Sequence, residues 1–252
     1  SWVDLGPTSA LLAVAPRLMT HNGLNRLVIV EGDSGAGKSR SLAALKERHP
    51  GTVILVEADE SWKTPKAMVS HLLVAVGEDS AVQNITGDFL SRQGRLIEAL
   101  KARRVLLCID ESQHMTGQGL TILKTLVNQT VSCFIIAGQS TLWRKLQSEA
   151  WQEAKQLRHN RCFASITFGA PADEDVELFV SRRAQLVAGG LDRLKESTWK
   201  ELGQHAAKHG GFAFLRDVVD CAADLVPHGA NLDDGPLLTA ADTIKQRAGG
   251  GR

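Results

Sequence analysis

The chain has 252 residues, of which 43% are hydrophobic and 23% are charged, and these are ordinary values for a compact globular enzyme. The formal net charge of +1 gives no global electrostatic argument for a nucleic-acid partner, so any such surface must be local. No apolar stretch is long enough to span a bilayer and no signal sequence follows Ser1, so we expect a cytoplasmic protein without a membrane partner. The four cysteines include no C-x-x-C pair, which argues against a metal site or disulfides.

The first predicted strand, residues 27–30, leads into a glycine-rich segment with the pattern G-x-x-x-x-G-K-S, and a helical pattern over residues 40–48 follows. This is the P-loop arrangement, in which backbone N–H groups and the positive helix end surround a phosphate. Lys38 is expected to reach the β- and γ-phosphates, and Ser39 to hold Mg²⁺. We therefore predict a site for ATP whose contacts are Gly32, Asp33, Ser34, Gly35, Ala36, Gly37, Lys38, Ser39 and Arg40.

The next predicted elements are a strand over residues 52–57, helices over 65–76 and 88–103, and an apolar run over 105–109. Such a run is typical of a parallel strand buried on both faces, and it ends in Asp110 and Glu111. Asp110 is expected to hold Mg²⁺ in the Walker B role, unless it is an ordinary strand-end aspartate in a turn. Glu111 would activate water against the γ-phosphate. Small-molecule kinases need no such glutamate, so the pair predicts hydrolysis of ATP.

The remaining pattern alternates helix and strand and then becomes helical. Predicted helices cover residues 120–127 and 141–158, predicted strands cover 131–137 and 162–168, and the helical part from Ala172 is broken at 189–190, 210–211 and 227–231. One strand intervenes in sequence between the P-loop strand and the Walker B strand, which is typical of additional-strand ATPases. We predict an α/β domain over residues 1–169 with a parallel five-stranded sheet flanked by helices, and a small all-α lid over residues 170–252.

A nucleotide-binding core followed by a small helical lid resembles the AAA+ ATPases over nearly the whole chain. The segment 134–139 looks like the sensor 1 strand, which implies that Gln139 faces the γ-phosphate; the alternative is a strand-end glutamine bonded to backbone. The segment 211–216 looks like the start of the sensor 2 helix, which implies a phosphate contact by Arg216. The alternative is that Arg216 only pairs with a neighbouring aspartate.

The basic segment 156–161 resembles the site of the arginine finger, which enters the active site of a neighbouring subunit. Arg161 fits this role better because it directly abuts the following strand, and Arg158 is the reserve. The alternative is a solvated basic helix end.

Within the AAA+ proteins the chain resembles the transposition helper ATPases MuB and TnsC, and their relative ExeA. The cues are Ile-Asp-Glu-Ser-Gln-His-Met over 109–115, Ala-Gly-Gln-Ser-Thr-Leu over 137–142, Leu-x-x-x-Arg ending at Arg161, and Thr64-Pro65. ExeA-type proteins carry a membrane segment and a wall-binding module, and neither is expected here. MuB members carry an N-terminal helix-turn-helix domain, and no such segment is expected before Leu11. The resemblance implies an ATP-loaded homo-oligomer, a hexameric-type ring or a helical filament, that binds duplex DNA without sequence preference and stimulates a transposase.

The best candidates for DNA contacts are Lys63, Thr64 and Lys66, where members of the family face the central channel. The alternative is a plain helix start, with Thr64 as the N-cap and two solvated lysines. A further set of basic side chains is expected to form a solvated helix face: Arg92, Arg95, Lys101, Arg103 and Arg104.

Two other functions are compatible with these residues. One is an AAA+ loader or initiator of replication, and the other is a P-loop regulatory switch of the ExeA type that hydrolyses ATP slowly. The effect of duplex DNA separates the helper from the switch. A helper should assemble on DNA only with ATP, whereas a switch should be indifferent to DNA.

Overall fold

The structure, a computed structural model, describes residues 5–78, 81–147 and 152–249. The first part of the chain forms α1 (Gly6–Thr20), β1 (Leu27–Gly32), α2 (Lys38–Arg48), β2 (Val53–Glu57), α3 (Pro65–Ala75), α4 (Phe89–Ala102), β3 (Leu106–Asp110), α5 (Gly117–Gln129), β4 (Cys133–Gly138), α6 (Ser140–Gln147), α7 (Gln152–Arg161) and β5 (Cys162–Phe168). The second part forms α8 (Asp173–Val187), β6 (Gly190–Leu191), α9 (Glu196–His209), α10 (Phe212–Ala223), β7 (Asn231–Leu232) and α11 (Asp234–Gly249). In the described ranges, every helix is too short or too polar to cross a membrane.

The five longer strands form one parallel sheet in the order β2-β3-β4-β1-β5, flanked by helices, which confirms the predicted fold class. Every residue of β3 and β4 is buried, because both strands are apolar on both faces and lie inside the sheet. Ile109 of β3 lies beside Ile136 of β4, and Ala137 of β4 lies beside Val30 of β1. The carboxyl ends of the three strands therefore meet at one edge.

Several helices begin where a side chain caps them. Thr64 accepts a hydrogen bond from the Ala67 N–H at 3.2 Å, and Pro65 follows in the first turn of α3. Thr116 caps α5 in the same way, so α5 begins three residues before the predicted Leu120. The stretch predicted as one helix over 141–158 contains α6 and α7, and residues 148–151 between them lie outside the described residues.

The described chain divides into two compact units. One holds residues 10–32 and 38–167, with an apolar core between the sheet and its helices. The other holds the residues up to 9, residues 33–37 and those from 168 onwards, with its own core under α8 to α11. β6 and β7, which pair in parallel, begin within two of the predicted breaks in the helical pattern. The division predicted between residues 169 and 170 stays a prediction.

The four cysteines are free thiols, and Cys108 and Cys133 are buried. Burial is the main cause that raises the pKa of both thiols, so they stay protonated near neutral pH.

Four of the five basic side chains on and after α4 donate to backbone carbonyls. The prediction of a solvated face is wrong for Arg92, Arg95 and Arg104, which are half-buried, whereas Lys101 and Arg103 are exposed. Arg92 donates to the carbonyls of Gly87 at 2.9 Å and Ile85 at 2.6 Å, and to the Ser70 hydroxyl at 2.6 Å. Arg103 donates to the carbonyl of Val76 at the end of α3. Arg104 donates to the carbonyl of His21, while Arg95 lies 3.3 Å from that of Glu78. A guanidinium offers several donors in a fixed fork, so it can satisfy carbonyls that the loops leave unpaired.

We predict that Arg92→Met lowers the free energy of unfolding by about 3 kcal/mol, because a charged donor leaves three acceptors. The control is Lys101→Met on the same helix, where an exposed ion pair with Glu98 is lost and the cost should stay below about 0.5 kcal/mol. Urea unfolding of both variants provides the measurement. Equal midpoints for the two variants would contradict the role of Arg92.

Candidate nucleotide-binding site

The loop between β1 and α2 has the backbone that a phosphate cradle requires. Gly35 and Gly37 have φ angles of 80° and 97°, a left-handed region that glycine enters without strain. At Gly35 a side chain is also excluded by packing within its own compact unit, since a Cβ would lie 2.1 Å from the Gly210 carbonyl oxygen. The Ala213 N–H donates to the Gly35 carbonyl at 3.3 Å. The positive φ angle and the lack of space for a Cβ together explain why glycine occupies position 35.

Lys38 opens α2 and is only 5% exposed. Its Nζ donates to the carbonyl of Gly32 at 2.7 Å, and a buried ammonium needs such partners because it has left water. The bond bridges the two ends of the loop, from the last residue of β1 to the first residue of α2. Ser39 and Arg40 follow in the first helical turn and are exposed. A cation and a helix N-terminus at one loop make an anion-binding arrangement.

Asp110 is the last residue of β3 and is 6% exposed. Its Oδ1 accepts a hydrogen bond from the Glu111 N–H at 2.9 Å. One residue past Ile109, Asp110 is level with Ala137 of β4 and hence with Val30 of β1. Two strand spacings, roughly 10 Å, separate β3 from the P-loop strand. The structure therefore brings the predicted Mg²⁺ ligand Asp110 to the sheet edge where the P-loop begins.

Glu111 has the backbone angles φ 50° and ψ 34°, the left-handed region that a residue with a side chain rarely adopts. Occupying it costs on the order of 1–2 kcal/mol, so the surroundings must hold the residue there. The turn that follows supplies that support, because the buried Ser112 hydroxyl donates to the Ile109 carbonyl at 2.8 Å. The Gln113 amide nitrogen donates to the Glu111 carboxylate.

Gln139 is the first residue after β4 and is half-buried. Its N–H donates to the side-chain oxygen of Gln113 at 3.1 Å, and its carbonyl accepts from Leu142 at 2.9 Å as α6 begins. The structure thus brings Gln139 to the same sheet edge as Asp110 and Glu111. Its contact with the γ-phosphate stays a prediction.

Arg161 lies at the other end of the sheet. It is the last residue of α7, directly before β5, and its Nε donates to the Asn128 side chain at 2.6 Å. Because the strands are parallel, the length of β5, about 20 Å, separates this edge from the carboxyl edge. Arg158 lies one turn earlier on the same helix. The structure therefore does not bring Arg161 together with the other predicted catalytic residues of its own chain.

Arg216 lies in α10 and donates from Nε and from a terminal nitrogen to Asp217, at 2.9 and 2.8 Å. The pairing with a neighbouring aspartate is therefore observed. The phosphate contact of Arg216 stays a prediction.

The residues predicted to contact DNA lie at the start of α3. Thr64 is its N-cap, as the alternative expects, and its contact with DNA stays a prediction. Lys63 and Lys66 are both exposed, and Lys63 forms an ion pair with Glu60 at 3.2 Å whose two side chains are 69% and 81% exposed. Exposed ion pairs of this kind hold weakly, so both ammonium groups stay accessible to a partner.

Two residues of the site were missed by sequence reasoning. Gln113 joins Glu111 to Gln139; it lies in the motif over 109–115, but this role was not predicted for it. Asn128 holds Arg161 from α5, and nothing in the sequence indicates this pairing across 33 positions.

Comparison with known proteins agrees with this geometry. A family model described as AAA domain matches residues 21–146, half of the chain. The comparison of this chain with curated proteins found no match.

Several solved structures share the fold. Orc1 of Aeropyrum pernix, solved in complex with DNA, is similar with a TM-score of 0.63 and 16% identity, over 95% of this chain and 65% of that one. ORC2 of Aeropyrum pernix gives 0.62 and 16%, over 96% and 68%. Cdc6p from Pyrobaculum aerophilum gives 0.63 and 14%, over 88% and 62%. The chain thus spans about two thirds of each of these proteins. From the family match and the shared fold, the chain belongs to the AAA domain family of the AAA+ ATPases.

Proposed function

We propose that this protein binds ATP with Mg²⁺ and hydrolyses it. The observation that carries the proposal is the meeting of Asp110, Glu111 and Gln139 at the sheet edge where the P-loop begins. Lys38 would neutralise the phosphates, while Ser39 and Asp110 would hold Mg²⁺. Glu111 would take a proton from the attacking water, because its carboxylate directly follows the proposed Mg²⁺ ligand Asp110 in the chain. Mg²⁺ would offset the negative charge that develops on the phosphates in the transition state.

The arginine at the opposite edge supports a site completed by a second copy of this chain. Arg161 lies about 20 Å from the carboxyl edge of its own sheet, so it can serve catalysis only on a neighbour. Assembly would then depend on the γ-phosphate, because ATP at the interface binds two subunits at once. We propose a homo-oligomer, either a hexameric-type ring or a helical filament.

We further propose that the oligomer forms on duplex DNA and serves as a helper of a transposase, as the motif resemblance to MuB and TnsC suggests. Exposed Lys63 and Lys66 would contact phosphates in every subunit, which gives binding without sequence preference. Few cations per subunit suffice when many subunits line one duplex, and a net charge of +1 is then no obstacle.

A second candidate is an AAA+ loader or initiator of replication. It is favoured by the fold likeness to Orc1 of Aeropyrum pernix, which was solved in complex with DNA. Both candidates act on DNA, and they differ in the partner. Stimulation of ATP hydrolysis by a transposase would favour the helper, whereas loading of a replicative helicase would favour the initiator.

We predict that Lys38→Ala abolishes nucleotide binding, because the triphosphate loses the buried cation of the loop. Glu111→Gln should keep binding but lower the rate of hydrolysis by roughly 10²- to 10⁴-fold, because the amide cannot accept the proton. Fluorescent nucleotide titration and phosphate release measure the two effects separately. Hydrolysis by the Glu111 variant at the parental rate would contradict the role of the carboxylate.

We predict that Arg161→Ala leaves nucleotide binding by the isolated subunit intact and lowers ATP hydrolysis by the assembly by roughly 10³-fold. The matched control is Asn128→Ala, which removes the partner of Arg161 within the subunit but keeps the guanidinium. A trans role predicts that the control stays near the parental rate. A purely structural role of the Arg161–Asn128 bond predicts that both variants lose activity alike.

Mixing the Arg161→Ala and Lys38→Ala variants tests the geometry directly. Some interfaces in the mixture pair an intact P-loop with an intact arginine, so activity should reappear. Co-assembly without any recovery would count against an arginine supplied in trans.

We predict that the double variant Lys63→Ala, Lys66→Ala binds duplex DNA more weakly and equally so for different sequences. The log–log salt dependence should flatten by about 0.9 for each lost phosphate contact per binding unit. The control is Lys46→Ala with Lys101→Ala, which removes the same charge, and Lys101 pairs with Glu98 as Lys63 pairs with Glu60. An unchanged salt slope in the first variant would move the DNA surface elsewhere.

Imaging by negative stain tests the assembly itself. With an ATP analogue and duplex DNA together we expect rings or filaments, and neither component alone should suffice. Assembly that is indifferent to DNA would instead favour a regulatory switch.

A further inference from the structure

The side chain of Gln113 connects two segments of the candidate site. Its amide nitrogen donates to Oε2 of Glu111, and its amide oxygen accepts from the N–H of Gln139 at 3.1 Å. Gln113 lies in the short 3₁₀ turn that follows β3, whereas Gln139 follows β4. One amide therefore bridges the ends of two adjacent strands.

This bridge requires the chemistry of an amide. One end must donate, because an ionised carboxylate only accepts, and the other end must accept, because a backbone N–H only donates. Both bonds can form in only one orientation of the amide group, so the two partners together determine it. Glutamate could supply only the accepting half when ionised, and methionine supplies neither strong bond.

Glu111 needs such a constraint because its backbone is in the left-handed region. The main chain of the turn sets the direction in which the side chain leaves the backbone. A glutamate side chain still has three rotatable bonds and therefore many conformers, and only the conformer that faces the attacking water can serve as a base. The hydrogen bond to Oε2 removes that freedom. The second oxygen of the carboxylate, Oε1, is the atom that can then accept a proton from water.

We propose that Gln113 is a positioning residue for ATP hydrolysis, which fixes the Glu111 carboxylate and fastens it to the main chain of Gln139. The inference rests on the proposed ATPase function and deepens it. Because Gln139 is the predicted contact of the γ-phosphate, the orientation of the base is tied to the segment that would respond to that phosphate. In this role Gln113 acts through Glu111.

The packing around the amide offers a second way to disturb it. A Cβ on Gly138 would lie 2.9 Å from the Gln113 side-chain oxygen and 3.0 Å from Cδ2 of Leu142. The backbone nitrogen of Gln113 would be 3.2 Å away. The added methyl group of Gly138→Ala would therefore displace the Gln113 side-chain amide by steric contact, while residue 113 itself is unchanged.

The test compares Gln113→Met and Gln113→Glu in the full chain, with MgATP as the substrate. We expect Gln113→Met to lower kcat by about 10- to 100-fold, the order of loss that misplacement of a catalytic group causes, with unchanged ATP affinity. Gln113→Glu should lose more than Gln113→Met, because a second carboxylate repels Glu111 while it still accepts from Gln139. The matched controls are Gln204→Met and Gln204→Glu, at an exposed glutamine of α9, and both should keep the parental kcat.

Gly138→Ala completes the test as a double-mutant cycle. Alone it should lower kcat. In a Gln113→Ala background, where the side-chain amide is gone, its effect on kcat should be smaller, because only the contacts with Leu142 and the Gln113 backbone remain. Thermal unfolding of each variant separates a change in kcat from a loss of folded protein, since a merely structural role would lower stability without this coupling.

The outcomes separate the inference from the function on which it rests. Parental kcat in both Gln113 variants, or independent effects of Gly138→Ala and Gln113→Ala, would overturn the positioning role alone. A parent protein that binds ATP but does not hydrolyse it would overturn the proposed ATPase function, and the positioning role with it.

Discussion

The parallel register of β1, β4 and β3 is the constraint on which the rest of the site depends. Val30, Ala137 and the position of Asp110 are level across three neighbouring strands. Every residue of β3 and β4 is buried, and a slip by one residue would turn each side chain to the other face of the sheet. Three loops consequently leave the sheet at one edge, and two of them carry Asp110, Glu111 and Gln139.

Burial gives these groups their chemical character. Lys38 and Asp110 are 5% and 6% exposed, and a charge removed from water is stabilised by a few well-placed partners. The Lys38 ammonium donates a hydrogen bond to the carbonyl of Gly32, and the Asp110 carboxylate accepts one from the N–H of Glu111. Electrostatic interactions with the proposed triphosphate and Mg²⁺ would be stronger in such surroundings than in bulk water. The glutamate beside them is held in a strained backbone conformation, as functional residues often are.

The two edges of the sheet divide the work of catalysis between subunits in the proposed mechanism. The carboxyl edge holds the nucleotide groups, while the amino edge carries Arg161, held in place by Asn128. If a neighbouring subunit supplies this arginine, as we propose, hydrolysis would depend on assembly.

Much of the fold could be predicted from the residues alone, because local patterns decide it. Apolar runs ending in acidic or polar residues indicated the strands of the sheet, and the glycine pattern with Lys38 and Ser39 indicated the phosphate loop before a helix. Thr64 and Pro65 indicated the start of α3 by capping chemistry that acts within a few residues. The helix α1 was not predicted, and the start of α5 was placed late because a threonine cap precedes its apolar positions.

Contacts between distant segments were decided only by the tertiary structure. The chain order of the strands does not reveal that β4 lies between β1 and β3, and this placement is what brings Gln139 beside Glu111. Arg92 and Arg103 read as solvated charges in sequence, yet they bind carbonyls that only the folded loops present to them. The bridge made by Gln113 has the same origin, since its two partners are 2 and 26 positions away. The sequence by itself determined which residue types carry the chemistry, because that depends on local patterns. The packing of the sheet decided which of them meet, because hydrogen bonds between distant segments exist only once the strands lie side by side.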